Sequence, residues 1–114
     1  MFLGCTNLEY GPEIYATNLN VSCMYAMFRE CTNLKSVPHL PATTLKSNCY
    51  RQLFYLCRNL TSISINFTNW AGDNNETNSW VTSVPATGTF ICPAGLSIEY
   101  GDNRIPTGWT VINN

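Results

Sequence analysis

Residues 1–26 (MFLGCTNLEYGPEIYATNLNVSCMYA) and residues 27–52 (MFRECTNLKSVPHLPATTLKSNCYRQ) align without a gap, with 11 of 26 positions identical. A third, decayed copy starts at Leu53 (LFYLCRNLTSISI). A fixed period of this length points to stacked coils, each packing only on its neighbours. The expectation is a solenoid over residues 1–65, with copies at 1–26, 27–52 and, in part, 53–65. Residues 66–114 then form a capping segment packed on the last coil, within the same domain.

Each copy reads as two halves. Cys23, Met27 and Cys31 recur at i, i+4 and i+8, with Met24 and Phe28 beside them. Cys49, Leu53 and Cys57 repeat the spacing, flanked by Tyr50 and Phe54. This stripe predicts a short amphipathic helix, with Ser22 and Asn48 as N-caps. The other half is extended. Leu8, Leu34 and Leu60 align, and Leu60–Ile65 alternates, with Ile63 and Ile65 inward and Ser62 and Ser64 outward. Pro12 and Pro38 end the strands of the first two copies early, because proline lacks the N–H a ladder needs. Leu19 and Leu45 lead the chain back to the helix.

The six cysteines follow the same period. Cys5, Cys31 and Cys57 share one repeat position, and Cys23 and Cys49 share another; Cys92 stands apart. Recurring cysteines read as small buried hydrophobes in a structural ladder. Helices in adjacent coils would stack at ~8–10 Å, beyond the ~7 Å Cα limit of a disulfide. The expectation is therefore reduced thiols. With no CxxC pair and a single histidine, His39, no metal site and no cofactor are expected.

The run Met27–Pro38 (MFRECTNLKSVP), followed by Leu40–Leu45 (LPATTL) and Cys49-Tyr50, resembles the BspA-like class of bacterial leucine-rich repeats. The MF-x-x-CT-x-L and LPATTL variant is similar to repeats of gut anaerobes and their phages. The resemblance covers residues 1 to about 65. Copy 1 departs from copy 2 at Gly11 and Tyr15, where copy 2 has Val37 and Pro41, and copy 3 loses the pattern after Ile65. The resemblance implies an α/β repeat fold: a short leucine-rich-repeat solenoid, strand plus short helix per coil, with a small β-rich C-terminal cap.

Beyond Ile65 the composition changes. Asn66–Glu76 is polar and turn-rich and reads as a loop. A short helix is expected from Asn75 or Thr77 through Val81. Gly88–Pro93 and Gly108–Ile112 read as strands, the second entered by the Ile105-Pro106-Thr107-Gly108 turn. This segment resembles a terminal module with a GTF strand and an IP-x-GW strand. Its task would be to seal the end of the stack, with Phe90 and Trp109 inward. Trp70, Trp80 and Trp109 are expected in the core, the alternative being an aromatic ligand platform. At the other end, Met1 sits on the repeat position of Met27, and no polar cap precedes it. An open edge there suggests further repeats or an oligomer contact.

Chemistry is sparse. Charged residues are 11% of the 114 and the net charge is -1, which gives no footprint for nucleic acid. No apolar run approaches a membrane span, so no membrane insertion is expected. No signal peptide is visible. The seven carboxylates are scattered, and Asp73–Glu76 lacks the spacing of a calcium loop. The reading is a non-enzymatic binding or adhesion module on a bacterial surface, outside the cell or on a phage virion. Its partner would be a host or cell-surface protein or glycan. The best binding candidates are the strand-face residues that differ between copies: Glu9 and Tyr10, Lys35 and Ser36, Thr61 and Ser62. The alternative is a structural spacer or terminal domain of a phage tail or surface fibre, with no ligand of its own.

Overall fold

The repeat reappears in the structure as the offset of its hydrogen bonds. The computed structural model describes residues 4–14, 24–37, 39–46, 48–70 and 76–113. Along the extended side, Lys35 N–H donates to Glu9 O, Thr61 N–H to Lys35 O, Thr89 N–H to Thr61 O and Thr110 N–H to Gly88 O. These bonds join one layer of chain to the next. Three layers are regular enough to be strands: β1 (Ser62–Ser64), β2 (Thr89–Cys92) and β3 (Thr110–Asn113). They form one sheet, β1-β2-β3, parallel throughout, with Ile63 beside Phe90 and Phe90 beside Val111. Single bridges extend the same stacking to Ser36 and Tyr10.

The α/β leucine-rich-repeat solenoid expected from the sequence is overturned. Among the described residues there is no helix, and the three short strands are the only regular elements. The body is compact, 34 × 30 × 23 Å with a radius of gyration of 12.5 Å.

Overlapping turns stand where the helix was expected. Met27 N–H donates to Met24 O, Arg29 N–H to Ala26 O and Cys31 N–H to Phe28 O, each three residues back. The N–H groups between them leave the segment: Ala26 donates to Arg51 O, Phe28 to Leu53 O and Glu30 to Tyr55 O. One layer on, Tyr50, Gln52, Phe54 and Leu56 donate to Glu76, Asn78, Trp80 and Thr82. An α-helix closes its N–H groups on its own carbonyls and would leave none for the next layer. Every fourth residue turns left-handed: Ala26 and Glu30, then Asn48, Gln52 and Leu56, then Ser79 and Ser83, with φ between 52° and 68°. Each is the third residue of a four-residue turn, where type II turns need positive φ. Asn48 is therefore a turn residue, not a helix N-cap. The helix expected to run through Val81 is likewise a series of turns.

The physical reason for the difference is the period. A stripe at i, i+4, i+8 fits a turn repeat of four residues as well as a helix of 3.6. Seven non-glycine residues in the left-handed region carry strain, on the order of 1 kcal/mol each. The interlayer hydrogen bonds and the core beneath them offset it. Leu19, Ser22, Cys23 and Pro38, the residues Met1–Leu3, and residues 71–75 of the loop expected after Ile65 lie outside the described residues.

The core fills the space between the turn ribbon and the sheet. Phe28, Phe54 and Trp80 come from successive ribbon layers; Ile63 and Phe90 come from the sheet. Phe28 and Phe54 stack at 6.0 Å, and Trp80 lies 6.1 Å from Tyr50 and from Phe54 and 6.2 Å from Phe90. All three tryptophans are buried, and each indole N–H has an acceptor: Trp70 on Ser97 O, Trp80 on Arg104 O, Trp109 on Pro85 O. Gly88 lets Trp109 close the core, since a Cβ there would sit 2.5 Å from the indole. Gly11, where copy 1 departs from the valine of copy 2, packs on Val37, and a Cβ there would lie 2.5 Å from Val37 Cγ1.

The cysteine expectation is corrected in part. Cys31, Cys49, Cys57 and Cys92 are buried, but Cys5 is exposed. Layers joined by backbone hydrogen bonds lie at strand spacing, ~4.8 Å, not at helix spacing. Distance between layers therefore does not keep the column reduced.

Candidate functional site

An all-parallel sheet is normally covered on both faces. Here one face packs on the core through Ile63, Phe90 and Cys92. The other, carrying Ser62, Ser64, Thr89, Ile91, Thr110 and Ile112, is partly or fully open. That open face is the candidate site.

The register builds a single column of hydroxyl side chains across it. Tyr10 bridges Ser36, Ser36 bridges Ser62, Ser62 pairs with Thr89, and Thr89 with Thr110. Five layers thus contribute one hydroxyl each, at ~4.8 Å per layer. Tyr10, 63% exposed, stands at one end, and Ile112, 49% exposed, lies at the other in the next column. Beside the ladder, His39 Nδ1 lies 2.6 Å from Ser64 Oγ.

All six binding residues expected from the sequence fall in this region. Tyr10, Ser36 and Ser62 are the first three rungs. Glu9, Lys35 and Thr61 form the adjacent column and are exposed. Lys35 Nζ lies 3.0 Å from Glu9 Oε1. The hydrogen bond to Glu9, then its charge, raises the Lys35 pKa above its ordinary value. The pair thus satisfies itself. Thr61 is tied to the layer before it, its N–H donating to Lys35 O at 2.9 Å.

The sequence reading missed Thr89 and Thr110. Both lie beyond the repeat, so no alignment of copies reveals them; their signal is position in the GTF and GWT strands. It also missed the asparagine of CTNL, CTNL and CRNL. Asn33 Nδ2 donates to Thr6 O and Asn59 Nδ2 to Thr32 O, a side-chain ladder that fixes the corner before the sheet.

Three of the buried thiols are poor nucleophiles. Burial raises the pKa of Cys31 and Cys92, and pushes Cys57 up to about 12, with Cys31 adding to the effect. A protonated, buried thiol is inert. Cys57 Sγ instead donates to Phe28 O at 3.0 Å. Among the described residues, no three His, Cys, Asp or Glu side chains converge as a metal site would require. Nor is any helix of these residues long and apolar enough to cross a membrane.

Comparison with protein-family models, with curated proteins and with solved structures finds no match to this chain.

Proposed function

We propose that this protein is a non-enzymatic binding module and that the open face of its parallel sheet recognises a glycan. The observation that carries the reading is the hydroxyl ladder Tyr10–Ser36–Ser62–Thr89–Thr110 on an otherwise unpartnered face. Hydroxyls both donate and accept, as sugar hydroxyls do, and the exposed Tyr10 ring offers an apolar surface for a pyranose. With charged residues at 11% of the chain, affinity rests on polar and aromatic contacts. Display on a bacterial surface or virion fits such a role, and the resemblance of the MF-x-x-CT-x-L motif to BspA-like proteins supports it from sequence alone.

The test is a glycan array with the intact chain, followed by titration of any hit against Tyr10→Ala and Lys35→Glu. Tyr10→Ala is expected to weaken binding at least tenfold. Lys35→Glu, which breaks the flanking ion pair, is expected to weaken it less. Uniform failure to bind glycans, or binding unchanged by both substitutions, overturns the reading and favours a structural spacer.

A further inference from the structure

A second surface lies across the core from the sheet, on the outer side of the turn ribbon. Tyr25 and Arg29 come from one layer, and Arg51 and Tyr55 from the next. The two layers are one repeat apart, so Tyr25 sits over Arg51 and Arg29 over Tyr55. Both pairs are engaged: the Arg29 guanidinium lies 4.9 Å from the Tyr55 ring centroid, and that of Arg51 lies 5.9 Å from Tyr25. Cation and ring alternate along the ribbon and between layers, so the four side chains form a checkerboard. Arg29 is also tied by Nη1 to Gln52 Oε1 at 3.1 Å.

Two properties of this patch point to a ligand. The first is pre-organisation. Arginine side chains are long and lose rotamer freedom when they bind, and here stacking on a ring has already held them. The second is charge. Arg29 has a partner in Glu30, with Nε 3.4 Å from Oε2. Arg51 makes no ion pair among the described residues, and its Nε, like that of Arg29, is shielded from water with no hydrogen-bond partner among them. Its guanidinium lies against the Tyr25 ring. A planar guanidinium matches a carboxylate in a two-point bond. Tyr25, 37% exposed, adds an apolar ring beside it.

We propose that Tyr25, Arg29, Arg51 and Tyr55 form a second binding surface that takes a carboxylated saccharide. Arg51 holds the uronate carboxylate, and Tyr25 borders the sugar ring. The chemistry favours a sugar acid over a dense polyanion. Two guanidinium groups, one already paired, on a chain of net charge -1 give little long-range attraction for nucleic acid. They suffice for isolated carboxylates set among hydroxyls.

The experiment is calorimetric titration of the full chain with a galacturonic acid oligosaccharide and with its methyl ester. The ester keeps the sugar and removes the charge. The free acid is expected to bind at least tenfold more tightly than the ester, with affinity falling as salt rises. Arg51→Gln is expected to abolish that preference, and amide shifts of the parent chain with the free acid, expected at Tyr25 and Arg51 and not at Thr89, separate this surface from the sheet face. Should Arg51→Gln fail to fold, Tyr25→Leu and the same shift mapping replace it. Equal binding of acid and ester, shifts confined to the sheet face, or no binding of the acid overturns the proposal. So does tighter binding of a poly-glutamate peptide, which would make the partner an acidic protein.

Discussion

The sheet side and the ribbon side of this molecule are stacked by the same kind of bond yet built from different backbone. On the sheet side the strands are extended and each layer pairs with the next in parallel register. On the ribbon side alternate N–H groups close turns within the layer, and only the rest reach the next one. Burying a backbone polar group without a partner is costly, and both sides avoid that cost. The repeat brings like residues into register for these bonds, and the bonds continue past Ile65 at steps of other lengths. The conformation inside one period is a separate question, answered differently on the two sides.

The largest test of this comparison asks whether the two sides are one cooperative body. Trp80 belongs to the ribbon, but its ring reaches Phe54 on one side and Phe90 of β2 on the other. Trp80→Ala removes the largest fully buried side chain of the core, and roughly 3–5 kcal/mol of stability is expected to go with it. Urea denaturation followed by circular dichroism measures that loss. Hydrogen exchange measures its reach: amides of Phe54 and Phe90 should lose protection together. Loss confined to the ribbon would show that the sheet stands alone.

A second test uses pH. Cys57, where the ribbon turns toward the sheet, has its thiol pKa pushed up to about 12 by burial, from an ordinary value of 9.0. Between those values the unfolded chain has lost the proton and the folded chain keeps it. Stability is therefore complete below pH 9 and falls as pH rises, by roughly 1.4 kcal/mol per pH unit between 9 and 12. Cys92, at the end of β2, is raised less and by burial alone. Cys57→Ala is expected to flatten the alkaline slope more than Cys92→Ala does. Equal flattening by both variants would show that the two thiols are equally desolvated.

These contrasts explain what the sequence made legible. Ser62, Ile63 and Ser64 alternate, and period-two alternation has one reading as a half-buried strand. Gly88–Pro93 and Gly108–Ile112, bounded by glycine or proline, bracket β2 and most of β3 for similar reasons. The side-by-side placement of Glu9 and Lys35, and of Tyr10, Ser36 and Ser62, followed from counting 26 residues. The ribbon was not legible. Its apolar residues Met27, Cys31, Leu53 and Cys57 carry a spacing that helix and turn repeat share. Its deciding residues, Ala26, Glu30, Gln52 and Leu56, are types that rarely adopt positive φ, so nothing local announced the turns. The helix assignment then misjudged the spacing of the layers, and with it the geometry of the cysteine column. The last two rungs of the hydroxyl ladder escaped because Thr89 and Thr110 lie outside the repeat that organised the reading.

The smallest effect separates the two backbones most cleanly, because it differs in sign. Ser83 is exposed and left-handed, with φ 68°. Glycine has no Cβ to clash there, so Ser83→Gly relieves local strain of roughly 1–2 kcal/mol. The added freedom of the unfolded chain takes back part of that gain. A net gain of about 0.5–1 kcal/mol is expected, or a rise in Tm of roughly 2–4 °C. Were the segment a helix, the same substitution would lower stability by a few tenths of a kcal/mol or more. On the sheet side, Thr89→Gly at the start of β2 should lower stability by roughly 1 kcal/mol, since an extended residue gains nothing from glycine and a pairing side chain is lost. Thermal melts of the two variants, run beside the parent chain, read both signs at once. If Ser83→Gly and Thr89→Gly both destabilise, the left-handed turn at Ser83 is not the conformation in solution, and the distinction between ribbon and helix falls with it.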